Sequence, residues 1–331
     1  MSRTLDYPAT VAPHPGLTHA LRRALATDAP LTLVGLGALA LLVVALVGLV
    51  ADPTVITGAP AWLKPLKFAL SIAVYSGTLL WLLGQVQGHP RLVRLVSLGT
   101  ATGFVAEMVV IVTQVVRGTT SHFNVATLLD AFLFDRMRDF IVLVFLMALL
   151  AAALLLRQRL PEPVMAVALR FGLGIALLGM LVAVLMTVPL LVTRAAFTAG
   201  RFGAHTVGAV DGGPSLPIVG WSTVGGDLRV AHFVGLHALQ LLPLLGWALT
   251  RERCAWLGRG GRLALLRTAG LAYLSLVIAL TWQALRGQSI VAPDGLTLAV
   301  GGAIGAVVAT VTLAVVMRAR RVAALPRPEL A

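Results

Sequence analysis

The chain has 331 residues, of which 58% are hydrophobic and only 12% are charged. Soluble domains carry about 25% charged residues, so this composition excludes a soluble globular protein and predicts an integral membrane protein. A net charge of +13 would suggest a nucleic-acid partner for a soluble domain, but the basic residues here lie in short segments between apolar runs. We therefore expect no nucleic acid to bind.

Eight apolar runs are long enough to cross about 30 Å of hydrocarbon as α-helices. In chain order they cover residues 31–50, 62–84, 93–116, 139–156, 167–193, 229–250, 264–285 and 296–317. The first run is longer than the apolar core of a secretory signal, so we interpret it as a retained helix. The sequence thus predicts an all-α polytopic bundle, with an N-terminal tail at 1–30, a single eight-helix membrane domain at 31–317 and a basic C-terminal tail at 318–331.

The distribution of Lys and Arg predicts the orientation of this bundle. If the N-terminus is cytoplasmic, 17 of the 26 basic residues fall in cytoplasmic segments. The positive-inside rule then predicts that both termini lie in the cytoplasm. The same basic segments are expected to contact membrane lipids, including anionic headgroups.

Two outer connections are long. Residues 117–138 contain apolar residues at helical spacing, which predicts a short amphipathic helix at the outer interface. Residues 194–228 are rich in Gly, Pro, Ser and Thr, which predicts an irregular loop. Because long loops in compact proteins usually cover a site, we expect these two segments to form a cap or lid.

Polar side chains concentrate in the outer halves of the spans. Asp227 is a predicted N-cap of the sixth span. A charge in hydrocarbon costs several kcal/mol unless it faces a partner or water, so these side chains should converge on an outward-facing pocket. The predicted pocket residues are Lys64, Lys67, Glu107, Gln114, Arg117, Arg229, His232, His237 and Gln240. Alternatively, the lysines reach outer phosphates, and Glu107 forms a buried ion pair with Lys67 or Arg229.

The histidines allow two cofactor hypotheses. His232 and His237 are five residues apart, which is about 140° of helical rotation, so they do not stack like an i, i+4 pair. One of them would bind zinc together with His122 and His205, with Asp211 or Asp130 supporting the ligands. Alternatively, His122 would oppose His232 across a b-type haem.

Four blocks carry a resemblance to a known family: Trp62–Phe68, Arg117–Asn124, Asp211–Pro214 and Gly226–Gln240. They resemble those of a family of hypothetical bacterial multi-pass membrane proteins, over about residues 31–250. The resemblance implies a location in the bacterial cytoplasmic membrane. It implies no activity.

Three functions remain open at this point. The pocket binds or transports a small anionic solute or lipid headgroup, with Glu107 as a proton acceptor. Alternatively, the protein is a membrane enzyme, zinc-dependent or not, with His122, His232 and His237 under a lid, or an electron-transfer subunit that carries haem. We find no internal repeat of the kind many transporters have, which argues against transport. The sequence leaves the oligomeric state open.

Overall fold

The computed structural model describes residues 16–188 and 200–323. Its helices are α1 (Leu17–Thr27), α2 (Ala29–Ala51), α3 (Leu63–Leu83), α4 (Pro90–Val116), α5 (Leu128–Arg157), α6 (Pro163–Leu185), α7 (Leu228–Thr250), α8 (Gly258–Leu285) and α9 (Gly295–Ala323), with a 3-10 helix at Glu252–Leu257. Within these ranges eight helices, α2 to α9, are long and apolar enough to cross a membrane. The predicted all-α polytopic bundle is therefore confirmed.

Two short antiparallel strand pairs lie outside the helices. β1 (Val55–Ile56) pairs with β2 (Ala59–Pro60) just before α3. β3 (Thr206–Val207) pairs with β4 (Gly226–Asp227) just before α7. We call the end of the bundle that carries them the outer end, following the orientation that the basic residues predict.

Local capping explains where several helices begin. The Asp227 carboxylate accepts a hydrogen bond from the backbone N–H of Arg229 at 3.0 Å, which confirms it as the N-cap of α7. In the same way Thr127 caps α5, and Glu162 caps α6 through the N–H of Met165. The fifth predicted span, 167–193, corresponds to α6, but residues 189–193 lie outside the described residues.

The amphipathic helix predicted within 117–138 is not a separate element. Helix α5 begins at Leu128 and continues for 30 residues, or about 45 Å, which exceeds the thickness of the hydrocarbon. Its first turns therefore extend beyond the hydrocarbon at the outer end. Exposed ion pairs on these turns, such as Arg136 with Asp139 at 2.9 Å, suit that position.

The eight spans form two halves of four helices that repeat one packing order. In the first half, α2 packs against α3 and α4, α3 packs against α4, and α4 packs against α5. In the second half, α6 packs against α7 and α8, α7 packs against α8, and α8 packs against α9. Each half also has one strand pair directly before its second helix. The halves are joined by the segment between α5 and α6.

The third helix of each half ends in the same way. An arginine at its C-cap has φ −77° and ψ −3° in the first half, and φ −75° and ψ 1° in the second. The glycine that follows has φ +70° in both halves, a conformation that favours glycine. Each arginine forms an ion pair with an aspartate near the start of the next helix. In the first half these residues are Gln114, Arg117, Gly118 and Asp130. In the second half they are Gln283, Arg286, Gly287 and Asp294, in the same order.

The second helices also begin alike. Leu-Lys-x-x-Lys-Phe at 63–68 corresponds to Leu-Arg-x-x-His-Phe at 228–233. The expectation that the chain has no internal repeat was therefore wrong. The repeat escapes sequence inspection because only such short blocks agree, whereas the apolar positions between them need only be hydrophobic.

An apolar layer joins the two halves toward the end of the bundle opposite the outer end. Leu82 and Leu155 of the first half pack with Leu169, Leu173 and Leu239 of the second. Lipid tails are as apolar as leucine, so these contacts stabilise the bundle mainly through van der Waals packing. This layer closes the bundle below the polar residues of the outer end.

Glycines permit close contact between α6 and α7. A Cβ atom added to Gly179 would lie 2.8 Å from the backbone of Gly235 on the facing helix. Only small residues allow two helices to approach in this way. This contact fixes the position of α7, whose first turns carry Arg229 and His232.

Candidate functional site

The outer connections pack together into a single structure, which we call the outer cap: residues 52–62, 117–127 and 200–227. The backbone N–H of Phe202 donates to the carbonyl of Phe123 at 2.8 Å, and that of Val125 donates to the carbonyl of Gly200 at 2.8 Å. The backbone of Gly212 lies against the turn at Thr57 and Gly58. Within the described residues, the loop predicted as a lid thus forms a cap with the other two connections.

Glu107 of α4 lies beneath this cap and is only 1% exposed. Its Oε1 is 3.6 Å from Nε2 of His122 in the cap. Among the described residues neither carboxylate oxygen has a hydrogen-bond partner. Because a buried carboxylate without hydrogen bonds is costly, Glu107 is the most unusual group of the site.

Lys64 on the first turn of α3 faces the same region. Its ammonium interacts electrostatically with Glu107, Arg229 and Asp211. No hydrogen bond or ion pair within the described ranges involves this ammonium. Its neighbour Lys67 instead donates to the carbonyl of Val219 at 3.1 Å and so holds the cap against α3.

Asp211 fixes one histidine of the cap. Its carboxylate accepts hydrogen bonds from the backbone N–H groups of His205 and Thr206, and Nδ1 of His205 lies 2.7 Å from it. Burial alone would raise the pKa of Asp211, but His205 and these hydrogen bonds hold it well below its usual range. Asp211 therefore stays ionised and orients the His205 ring.

His122 lies between the other groups, with its ring centroid 6.3 Å from that of His205. Burial lowers the pKa of His122 well below its usual value, and electrostatic interactions with Lys64, His205 and His232 lower it further. The imidazole is therefore neutral near neutral pH. Its side chain is 23% exposed, so it connects buried Glu107 with the outside.

His232 on α7 completes the group. Its Nδ1 lies 2.7 Å from the carbonyl oxygen of Gly179. Because a carbonyl only accepts, Nδ1 donates and Nε2 of the neutral ring carries a lone pair. Electrostatic interactions reach from His232 to both His122 and His205.

Arg229 is held within the cap rather than free. It forms an ion pair with Asp227 at 2.6 Å and donates to the carbonyl of Gly220. Sequence reasoning missed the cap carbonyls of Val219 and Gly220, because no side-chain pattern signals a backbone acceptor. The alternative that pairs Glu107 with Arg229 or Lys67 is not what the structure shows, since Glu107 faces His122.

Four predicted pocket residues lie elsewhere. Gln114 and Arg117 bind Asp130 at 2.9 Å and 2.7 Å and so connect α4 to α5. Gln240 donates to the hydroxyl of Thr78 at 3.2 Å and connects α7 to α3. His237 is exposed on α7, and no interaction in the described part of the chain links it to the site. The five-residue spacing turns it away from His232.

The geometry gives the two cofactor hypotheses no support. Within the described residues, no three His, Cys, Asp or Glu side chains are placed to hold a metal ion, so the set His122, His205, His232, His237 and Asp211 is not assembled as a zinc site. A bis-histidine haem needs a porphyrin between two imidazoles. The ring of His122 instead has Phe68, Phe123 and His205 around it at centroid distances of 5.6 to 6.3 Å.

The site of Lys64, Glu107, His122, His205 and His232 draws on both halves of the bundle and on the outer cap. No protein-family model matches the chain, and no curated protein and no solved structure is similar to it. The resemblance to hypothetical bacterial membrane proteins therefore stays a prediction.

Proposed function

We propose that this multi-pass membrane protein binds a small oxyanion beneath its outer cap and exchanges a proton with it at Glu107. The observation that carries the proposal is the buried Glu107 carboxylate, which has no hydrogen-bond partner among the described residues, together with the half-buried Lys64 ammonium that interacts with it electrostatically. An anion that also has a hydroxyl group satisfies both. Its charged oxygen pairs with Lys64, and its hydroxyl donates to Glu107.

The surrounding charges favour an anion. Asp211 is committed to His205, and Asp227 is committed to Arg229. Lys64 and Lys67 therefore supply positive charge that no described carboxylate neutralises in a direct ion pair, although Asp211 and Asp227 interact with them at longer range. In a partly buried site such charges attract an anion more strongly than they would at an open surface.

The contact between Glu107 and His122 supplies a route for the proton. In the proposed step the ligand hydroxyl transfers its proton to a carboxylate oxygen of Glu107, which leaves the ligand with one more negative charge next to Lys64. The proton then passes to Nε2 of neutral His122, 3.6 Å away, and from there to the outside.

The proposal extends to transport. Lys64 and Glu107 come from the first half of the bundle, and His232 comes from the second, so the site lies between two repeated units. Transporters built from parallel repeats bind their substrates at such positions. The apolar layer below the site keeps it closed toward the cytoplasm, and passage of the ligand would require the halves to rearrange there.

Binding of inorganic phosphate and of bicarbonate to the purified full-length protein tests the proposal. Isothermal titration calorimetry should detect at least one of these anions. Lys64→Met should weaken its binding by about tenfold to a hundredfold, the equivalent of one charge-assisted hydrogen bond. Arg136→Gln, on an exposed ion pair of α5, is the control and should leave binding unchanged.

The proton is tested separately. Titrations in buffers with different ionisation enthalpies report the number of protons released on binding. Glu107→Gln should reduce this number while the variant still folds, because a neutral amide suits a buried position. If neither anion binds, or if Lys64→Met binds as tightly as Arg136→Gln does, the proposed site is wrong.

A further inference from the structure

A second polar feature lies at the opposite, cytoplasmic end of the bundle. A cavity of about 510 Å³ opens between the α5–α6 connection and the first turns of α6 and α8. Five arginines line it: Arg157, Arg159, Arg170, Arg259 and Arg267. Its volume is within the range of cavities that bind small molecules.

These five arginines differ from those of the outer end, where Arg117 and Arg229 each pair with an aspartate. None of the five forms an ion pair or a side-chain hydrogen bond with any residue that the structure describes. The acidic residue in the connection, Glu162, is engaged as the N-cap of α6. The cavity therefore concentrates positive charge without a counter-ion from the described chain.

The cavity lies beside the first turns of α6 and α8, at the end of the bundle where the basic residues predict the cytoplasmic headgroups. Helix α8 has 28 residues, about 42 Å, so it is longer than the hydrocarbon is thick, and basic residues occupy its first turns. Arg267 is nine residues into α8 and Arg170 is seven residues into α6, about 10 to 14 Å from the helix starts. A guanidinium group at this level needs an anionic partner.

Apolar side chains form the rest of the wall. Leu156, Leu160, Val167 and Leu263 line the cavity beside the arginines. A dissolved polyanion gains nothing from such a wall, whereas a lipid places its glycerol and the upper part of its acyl chains there. The combination of guanidinium groups with leucine and valine matches the chemistry of a phospholipid.

We propose that this cavity binds the headgroup of an anionic phospholipid from the cytoplasmic leaflet, and that a lipid with two phosphodiester groups binds best. Guanidinium groups bind phosphate oxygens in a bidentate manner, so two or three arginines satisfy one phosphate. Five arginines exceed what a single phosphodiester needs. The site is independent of the proposed oxyanion site at the outer end.

Native mass spectrometry of the full-length protein tests this inference. The protein is purified in detergent and supplied with diphosphatidylglycerol, phosphatidylglycerol or phosphatidylcholine. We expect one tightly bound diphosphatidylglycerol, weaker binding of phosphatidylglycerol and no specific binding of phosphatidylcholine. The double variant Arg170→Gln and Arg267→Gln should weaken the diphosphatidylglycerol complex by roughly thirtyfold.

Arg91→Gln together with Arg94→Gln is the matched control, because it removes two exposed charges at the same membrane face outside the cavity. Equal losses in the two double variants would overturn the proposal in favour of a general surface charge. If Arg170→Gln with Arg267→Gln does not fold, Arg157→Gln with Arg159→Gln at the exposed connection should also weaken binding. Displacement of the lipid by inorganic pyrophosphate would overturn the proposal in favour of a soluble polyanion.

Discussion

The two halves offer a direct measurement of what burial adds to an ion pair. Arg117 and Arg286 occupy corresponding helix ends, and their side chains are 33% and 32% exposed. Their partners differ, because the side chain of Asp130 is 6% exposed and that of Asp294 is 40% exposed. We expect Arg117→Ala to destabilise the protein far more than Arg286→Ala does.

The magnitude follows from what remains after the change. Without Arg117 the buried Asp130 carboxylate keeps donors from Thr127 at 2.6 Å and Gln114 at 2.9 Å, but it loses its positive partner. Losing a charge-assisted hydrogen bond to a buried carboxylate costs about 2 to 3 kcal/mol. Water hydrates the exposed Asp294 carboxylate when Arg286 is removed. Exposed ion pairs therefore contribute little to the free energy of unfolding.

The free energy of unfolding, measured by titrating the purified protein in mixed micelles with a denaturing detergent, provides the assay. The double variant Arg117→Ala with Asp130→Asn should recover part of the loss, because it removes the unpaired charge. Equal destabilisation by Arg117→Ala and Arg286→Ala would refute the reasoning. So would a double variant that is no more stable than Arg117→Ala.

Three further predictions concern the bundle and the cap. Gly179→Ala should destabilise the protein by about 1 to 3 kcal/mol, because its Cβ would meet Gly235, whereas Gly174→Ala on the same helix has open space and should be neutral by the same detergent titration. Folding lowers the pKa of His122 below its usual value of 6.5, so the unfolded chain takes up the proton more readily and stability falls as the pH drops below that value. His122→Gln should make this pH dependence of the unfolding free energy shallower. Asp211→Asn should lower the free energy of unfolding by about 2 kcal/mol at neutral pH. The difference in this free energy between the variant and the unchanged protein should shrink only when the pH falls below the usual carboxyl pKa of 3.8, which unfolding titrations at a series of pH values would measure.

Much of the fold could be predicted from the sequence because the bilayer imposes simple rules. Helix length and apolar composition located all eight spans, and the cap at Asp227 follows from the chemistry of a helix start. The start of α5 was missed because residues that extend beyond the hydrocarbon resemble an interfacial helix. The point at which a long helix leaves the membrane depends on the helices and loops that pack against it. A short stretch of sequence does not specify those contacts.

The site could be predicted only in part, because the sequence does not fix the direction in which each helical side chain points or which partner on another helix it meets. We expected Lys64, Glu107 and His232 to come together because isolated charges in hydrocarbon are too costly, and the structure links Lys64 electrostatically to Glu107 and His232 to His122. Arg117 shares a helical face with Glu107 but is held by Asp130, a partner on the following helix that spacing within one helix does not reveal. His237 is five residues from His232, and helical geometry allows only one of them to face the site.

The apolar layer of Leu82, Leu155, Leu169, Leu173 and Leu239 has a consequence for the membrane as an insulator. These five side chains are at most 6% exposed. Were the outer cap to open, water would reach Glu107 and Lys64 but would meet this packed layer below them. An ion entering from the outer end would then have to cross hydrocarbon, the barrier on which an electrochemical gradient depends.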